Sequence, residues 1–209
     1  MQARSSSSEQ EGRTFTENSR RAQIVRAAIE VVAEQGYANA SFAKIAKHAG
    51  LSSTGLISYH FKGKDDLIRA VVTEIMTVAM EFVTAELDGV TDYTARLRGY
   101  FAANLAVFEQ YPGHMRALSS IIANAHPDDR ETFGLAGHLA DFARIQEGRM
   151  REAQRAGVFR DFDPAVMVMA MRGAIDAAVL RASADPDFDT AACARELADL
   201  FDHATRKQS

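Results

Sequence analysis

The 209-residue sequence predicts an all-α fold, and three observations carry that prediction. Apolar residues recur at helical spacing through nearly every segment. No stretch alternates apolar and polar residues between turn residues, as a half-buried strand does. Glycine, or an aspartate followed by proline, punctuates the pattern where helices stop and start. With 47% hydrophobic residues the chain can bury a real core, in one large domain or two smaller ones.

The first fifteen residues, "MQARSSSSEQEGRTF", are polar and serine-rich and lack an apolar run, so residues 1–15 are expected to be a disordered lead rather than a signal peptide. Ile24, Ala27, Ala28, Val31 and Val32 then form one helical stripe that stops at Gly36, which places a first helix near 17–35. Ser41 is an N-cap for a second helix carrying Phe42, Ile45, Ala46 and Ala49, and Gly50 ends it. A third short helix runs from about Ser53 to His60. The fourth is long, from near Gly63 to Leu87, with Asp65 and Asp66 in a first turn that favours negative charge.

Beyond Gly89 the pattern resumes at Asp92 and runs through Leu97, Phe101, Leu105 and Phe108 until "YPG" breaks it. A shorter helix spans His114 to about Ala125. "HPDD" opens another, with Leu135, Leu139, Phe142, Gln146, Met150 and Ala153 on one face, ending at Gly157. Asp163 before Pro164 starts a helix rich in Met and Ala that stops before Pro186, and Asp189 caps the last. The count is nine helices, three at the front and six behind. Residues 16–66 are assigned to the front unit and 67–209 to the rear one.

The net charge of −4 hides an asymmetry: residues 1–70 sum to +3 and the remainder to −7. Only the amino-terminal end is suited to a polyanion. Two short helices joined by a tight turn, "SFAKIAKHAG" and "LSSTGLISYHF", have the form of a helix-turn-helix, whose second helix lies in the DNA major groove. That explains why this helix is rich in short hydrogen-bonding side chains. Ser, Thr and Tyr hydroxyls meet phosphates or base edges, Gly55 permits close backbone approach, and Leu56 and Ile57 anchor the helix to its neighbours. An ordinary polar surface helix is the alternative reading of the same residues.

The stretch "QIVRAAIEVVAEQGYANASFAKIAKHAGLSSTGLISYHFKGKDDLIRAV" resembles the DNA-binding domain of the TetR family of bacterial one-component transcriptional regulators. The apolar first helix ending in Gly-Tyr, the Ser41 cap, "IAKHAG", the aromatic-His-Phe close and Lys64 followed by acids and Leu67 fall in the family's order. The resemblance implies that Ser41, Lys62 and Lys64 contact phosphates, and that Ser53, Thr54, Ser58, Tyr59 and His60 lie at or beside the groove. Lys44, Ser52 and Gly55 belong to the same surface. Leu51 to Phe61 is one residue longer than the family's usual spacing. Aligning back from Tyr59-His60-Phe61 puts the extra residue in the turn; inside the helix it would rotate the reading face by about 100°. The family's rear domain binds a small effector and forms a dimer, and no motif carries over there.

In that rear half, Met76, Met80, Met115, Phe101, Phe108 and Phe142 are either core filler or the adaptable lining of an apolar pocket. Asn104, Ser119, His138, Gln146, Arg172 and Asp176 are the polar candidates for orienting a ligand. Arg172 and Asp176 equally suit a structural ion pair or an intersubunit contact. Val166, Ala170, Gly173, Ala174 and Ala177, with Leu197, Leu200 and Phe201 on the last helix, make faces suited to a four-helix homodimer bundle, as in the family, or to closing the monomer core.

His138 and Asp141 fit a local hydrogen bond or a two-ligand metal site, and no Cys or carboxylate cluster accompanies them or His60. Cys193 is a small apolar side chain in a helical pattern. No nucleophile elbow, phosphate loop or dinucleotide fingerprint is present, so neither catalysis nor a cofactor is expected. The expectation is a cytoplasmic, homodimeric repressor released from a pseudo-palindromic operator by a small apolar or amphipathic molecule. A DNA binder without an effector, or a helical-bundle enzyme or carrier, are the rival readings.

Overall fold

A computed structural model of the chain describes residues 5–124, 133–185 and 187–207, with side chains from residue 16 onward. Among the described residues the chain is all-α: nine α-helices, one turn of 3-10 helix and a lone antiparallel bridge between Phe159 and Arg206.

Helix α1 (Ser5–Gln35) buries the expected stripe, with Ile24, Ala28, Val31 and Val32 fully inside. It begins well ahead of residue 17 and takes in most of the segment expected to be a disordered lead. No proline interrupts that segment, and extending a formed helix adds a hydrogen bond per residue without a second nucleation. Gly36 ends it at φ 81, a left-handed conformation suited to glycine. After a 3-10 turn (Tyr37–Asn39), α2 (Phe42–His48) starts at Ser41, whose Oγ accepts the Lys44 N–H at 3.4 Å. Gly50, at φ 65, lets Leu51 N–H reach Ala46 O at 2.8 Å and closes α2. Then come α3 (Gly55–His60) and α4 (Lys64–Glu86).

The rear half comprises α5 (Tyr93–Gln110), α6 (Pro112–Asn124), α7 (Leu135–Arg155), α8 (Pro164–Ala184) and α9 (Thr190–Thr205). Asp92, Asp163 and Asp189 cap α5, α8 and α9 by accepting the N–H of Ala95, Ala165 and Ala192 at 2.7, 2.8 and 2.7 Å. The expected start of α7 at "HPDD" (126–129) and the Pro186 stop lie outside the described residues.

One continuous core joins front and rear, and α4 passes through the expected 66/67 boundary without a break. Helix α6 lies along α1, and α9 along α5. Two residues assigned above to sites belong to this core instead. Phe101, expected at a ligand pocket, is 0% exposed, and Phe201, expected at a dimer interface, is buried against it with ring centroids 5.0 Å apart. Each is the other's partner, which takes both rings away from the surfaces. No described helix is long and apolar enough to cross a membrane.

Because Phe101 has no exposed surface to lose, Phe101→Ala should destabilise the fold by about 3–5 kcal/mol, read by urea denaturation. A shift below about 1 kcal/mol would return Phe101 to the surface of a cavity.

Candidate nucleic-acid interface and cavities

Helix α3 is held from below. Ile57 and Phe61 are 0% and 1% exposed, Leu56 is half-buried, and the Arg21 guanidinium sits over the Phe61 ring at 4.7 Å. What remains outward is polar: Ser52, Ser53, Thr54, Ser58 and Tyr59 are exposed, Tyr59 at 71%. His60 is half-buried, edge-on to the Tyr59 ring at 5.1 Å. The Tyr59 hydroxyl donates to Glu17 Oε1 of α1 at 3.2 Å, a surface contact that another acceptor can replace.

Thr54 caps α3 only through its backbone, leaving its hydroxyl outward. Gly55 has a local reason as well, since a Cβ there would lie 3.3 Å from Ser53 Oγ. The bonds of Ser58 N–H to Thr54 O (3.1 Å) and Phe61 N–H to Ile57 O (2.9 Å) are those of a regular helix. Ser41, Lys44 and Lys62 are exposed around this face.

Lys64 departs from its expected role. Its ammonium donates to Tyr37 O at 3.0 Å and lies 4.3 Å from the Tyr37 ring centroid, so it locks the turn after α1 to the start of α4. A half-buried cation finds an acceptor and a ring inside the fold before it finds a phosphate outside. Tyr37 N–H in turn donates to Ser120 Oγ of α6 at 2.9 Å.

Behind this unit a cavity of about 150 Å³ lies among α4 to α8. It brings together Met76, Met80, Asn104, Phe108, Met115, Ser119, His138, Phe142 and Arg172 of the expected set. The sequence reading missed most of the aliphatic remainder, including Val107, Leu118, Leu139, Ile175 and Val179. Their signal was present, since each sits three or four residues from a named position on the same helix. Asn104 and Ser119 are the polar wall: Asn104 Nδ2 donates to Tyr100 O at 2.8 Å, and Ser119 Oγ meets Ser183 Oγ at 3.2 Å. Asp176 does not line the cavity; its carboxylate holds Arg172 Nε at 2.8 Å, an ion pair along α8. Asp141 pairs with Arg144 rather than with His138, and no three His, Cys, Asp or Glu side chains cluster among the described residues.

Gln146 lies elsewhere. It is 4% exposed and lines a second, smaller cavity of about 20 Å³ with Leu87, Arg96, Tyr100, Arg149 and Met171. One Arg96 nitrogen donates to Leu87 O and Val90 O, both at 3.0 Å, past the end of α4. Burial, with Arg96 acting in the same direction, lowers the Arg149 guanidinium from its ordinary value. Burial pushes the Tyr100 phenol up to about 12, so it stays protonated at neutral pH.

On α8, Val166, Ala170, Gly173 and Ala177 are exposed, and so are Met169 (67%) and Leu180 (71%), which extend the same face. Leu200 is 62% exposed on α9, while Ala174 and Leu197 are half-buried.

Residues 24–71 match the family model described as bacterial regulatory proteins, tetR family. The chain is 38% identical over 77 residues to the HTH-type transcriptional regulator BetI 2 of Chromohalobacter salexigens, a match covering 37% of each protein. It is 39% identical over 77 residues to BetI of Pseudomonas fluorescens, covering 37% of this chain and 39% of that one. These matches thus span little more than a third of the relatives' own length. Solved structures match the fold over nearly the whole chain. A TetR transcription regulator from Haloarcula marismortui superposes with a TM-score of 0.79 at 23% identity, covering 91% of this chain and 100% of that one. A transcriptional regulator from Saccharomonospora viridis in complex with choline gives 0.76 at 21% identity, over 90% and 98%. FadR from Bacillus subtilis in complex with stearoyl-CoA gives 0.75 at 23%, over 86% and 96%.

Since the Lys64 ammonium is committed to Tyr37, Lys64→Met should lower unfolding free energy by about 1–3 kcal/mol while leaving helix content intact. Unchanged stability in urea denaturation would mean that the ammonium faces outward.

Proposed function

We propose that the chain is a repressor of the TetR family of transcriptional regulators, whose model matches its residues 24–71. It binds a pseudo-palindromic operator as a homodimer and is released by a small apolar or amphipathic molecule. The family is not an enzymatic one. Residues 16–66 form the DNA-binding unit and 67–209 the effector and dimer unit, with α4 crossing between them.

The observation that carries this reading is the polar outer face of α3, from Ser52 to Tyr59, presented on a base of buried Ile57 and Phe61. Such a face, beside exposed Lys44, Lys47 and Lys62, suits groove and phosphate contacts at once. A helix of six residues covers too few base pairs alone, so a two-fold dimer supplies the rest of the site. The exposed apolar stripe on α8, continued by Leu200, supports that dimer, because a large apolar face on a soluble chain marks an interaction surface. An effector is supported by the cavity behind α4. The neighbours solved with choline and with stearoyl-CoA place ligands of very different kinds on this fold.

Selection of genomic fragments by the purified protein should yield a two-fold site. Affinity for it should fall steeply with salt, since each phosphate neutralised releases a counterion. Tyr59→Ala should weaken binding by about 1–3 kcal/mol in fluorescence anisotropy. A flat log–log salt dependence, or wild-type affinity in the variant, would remove α3 from the DNA interface.

Linkage requires reciprocity. A ligand that weakens operator binding a hundredfold carries about 2.7 kcal/mol of coupling, and the operator must weaken ligand binding by the same factor. Calorimetric titration of a thermal-shift hit, with and without saturating operator duplex, measures this. Equal affinities for every hit would leave a DNA binder whose cavity does not regulate it.

A further inference from the structure

The smaller cavity holds an arrangement that neither the fold nor the DNA contact explains. Arg149 is half-buried, and its guanidinium makes no hydrogen bond or ion pair among the described residues. Gln146 is more than nine-tenths buried, and its amide is likewise without a hydrogen bond there. No buried side-chain nitrogen or oxygen among the described residues lacks a partner, so these two groups are donors open to the cavity and available to an occupant. Both groups can donate, and the wall adds a third donor and second cation, Arg96, fixed by the Leu87 and Val90 carbonyls. The protonated Tyr100 hydroxyl is a fourth donor. A cavity walled by two guanidiniums, an amide and a hydroxyl suits an anion. A space of about 20 Å³ takes a group of one- or two-water size, which suits a carboxylate.

Where that carboxylate comes from follows from the helices. Tyr100, Gln146 and Met171 line the small cavity, whereas Asn104, Phe142 and Ile175 line the large one, a single turn away on α5, α7 and α8. The two spaces thus lie end to end along the same three helices, about 5 Å apart. The stacked pair of Tyr100 and Phe142, ring centroids 5.7 Å apart, joins a wall of the small cavity to a wall of the large one.

We propose that the two cavities form one site for an apolar carboxylic acid, its chain in the larger cavity and its carboxylate between Arg96 and Arg149 with Gln146. This rests on the larger cavity being the effector site.

Calorimetry with hexanoate, octanoate and decanoate, octan-1-ol, acetate and choline tests this on the full chain. Octanoate should bind about tenfold or more tightly than octanol, the scale of a charge-assisted contact. Arg149→Gln should erase that preference while octanol binding persists, and Arg149→Lys should restore part of it. Circular dichroism and melting curves of both variants establish that they fold. Equal affinity for octanoate and octanol, or a preference that survives Arg149→Gln, would overturn the carboxylate site while leaving an apolar effector cavity standing. Acetate binding as tightly as octanoate would assign the pocket to a free small anion and overturn the joined site. Choline binding more tightly than any acid, or no binding by any of the three acids, would overturn it too. The operator titration above judges the effector reading separately.

Discussion

Helix α4 has to be one unbroken element, and most of what this protein can do depends on that constraint. Its 23 residues, Lys64–Glu86, contain neither glycine nor proline and extend about 34 Å. The first half buries Leu67, Ile68, Val71, Val72 and Ile75 in the same core as α1 to α3. Its second half turns Met76, Met80 and Val83 to the larger cavity, and its last cap, Leu87, reaches the smaller one. An apolar helix packed at interior density does not bend smoothly, so displacement at one end is carried to the other.

A second connection limits how α4 can move. Lys64 at its start holds the Tyr37 carbonyl, and the Tyr37 N–H is held by Ser120 of α6. The neighbouring Ser119 lines the larger cavity and meets Ser183 of α8. Tyr37 is thus bonded on both sides of its backbone, once to α4 and once to α6, two of the helices that wall the cavity. Shifting α4 without α6 would strip Tyr37 of a charge-assisted bond or a neutral one, so the two helices form one mechanical unit. Coupling between sites needs such an element, in contact with both.

The parts of this architecture that are locally determined were legible in the sequence. Ser41, Asp92, Asp163 and Asp189 cap helices because a short acceptor side chain before an apolar stripe has little else to do there, and Gly36 and Gly50 stop helices because few other residues accept their φ. Facing was harder. A step of two residues turns a helix by about 200°, so within the Met-rich run of α8 Met167 and Met171 are buried while Met169 is 67% exposed. Phe101 and Phe201 were misplaced for a related reason: helical spacing identifies a buried face without saying whether a partner chain, a ligand or another ring of the same chain covers it. Lys64 was misread because nothing in a linear motif reveals a carbonyl from residue 37 lying beneath it. The start of α1 escaped because polarity without a breaker is compatible with helix once an apolar stretch downstream has nucleated it.

Stability alone would not keep Arg149 and Gln146 as they are. A guanidinium set against its own burial and Arg96, with Glu152 of the same helix as the opposite charge, costs free energy that a leucine or methionine would not. Local rules of folding are broken most often where a site is being kept. The location strengthens the point, because Arg96 is the side chain that satisfies Leu87 O and Val90 O beyond the last turn of α4. An anion drawing on Arg96 competes with those carbonyls for the same charge. The far end of α4 is thereby sensitive to an occupant of the smaller cavity, while its near end is fixed to the unit that presents Tyr59. A binding event too small to push on the helix can still act on it, by loosening the cap that holds its last turn.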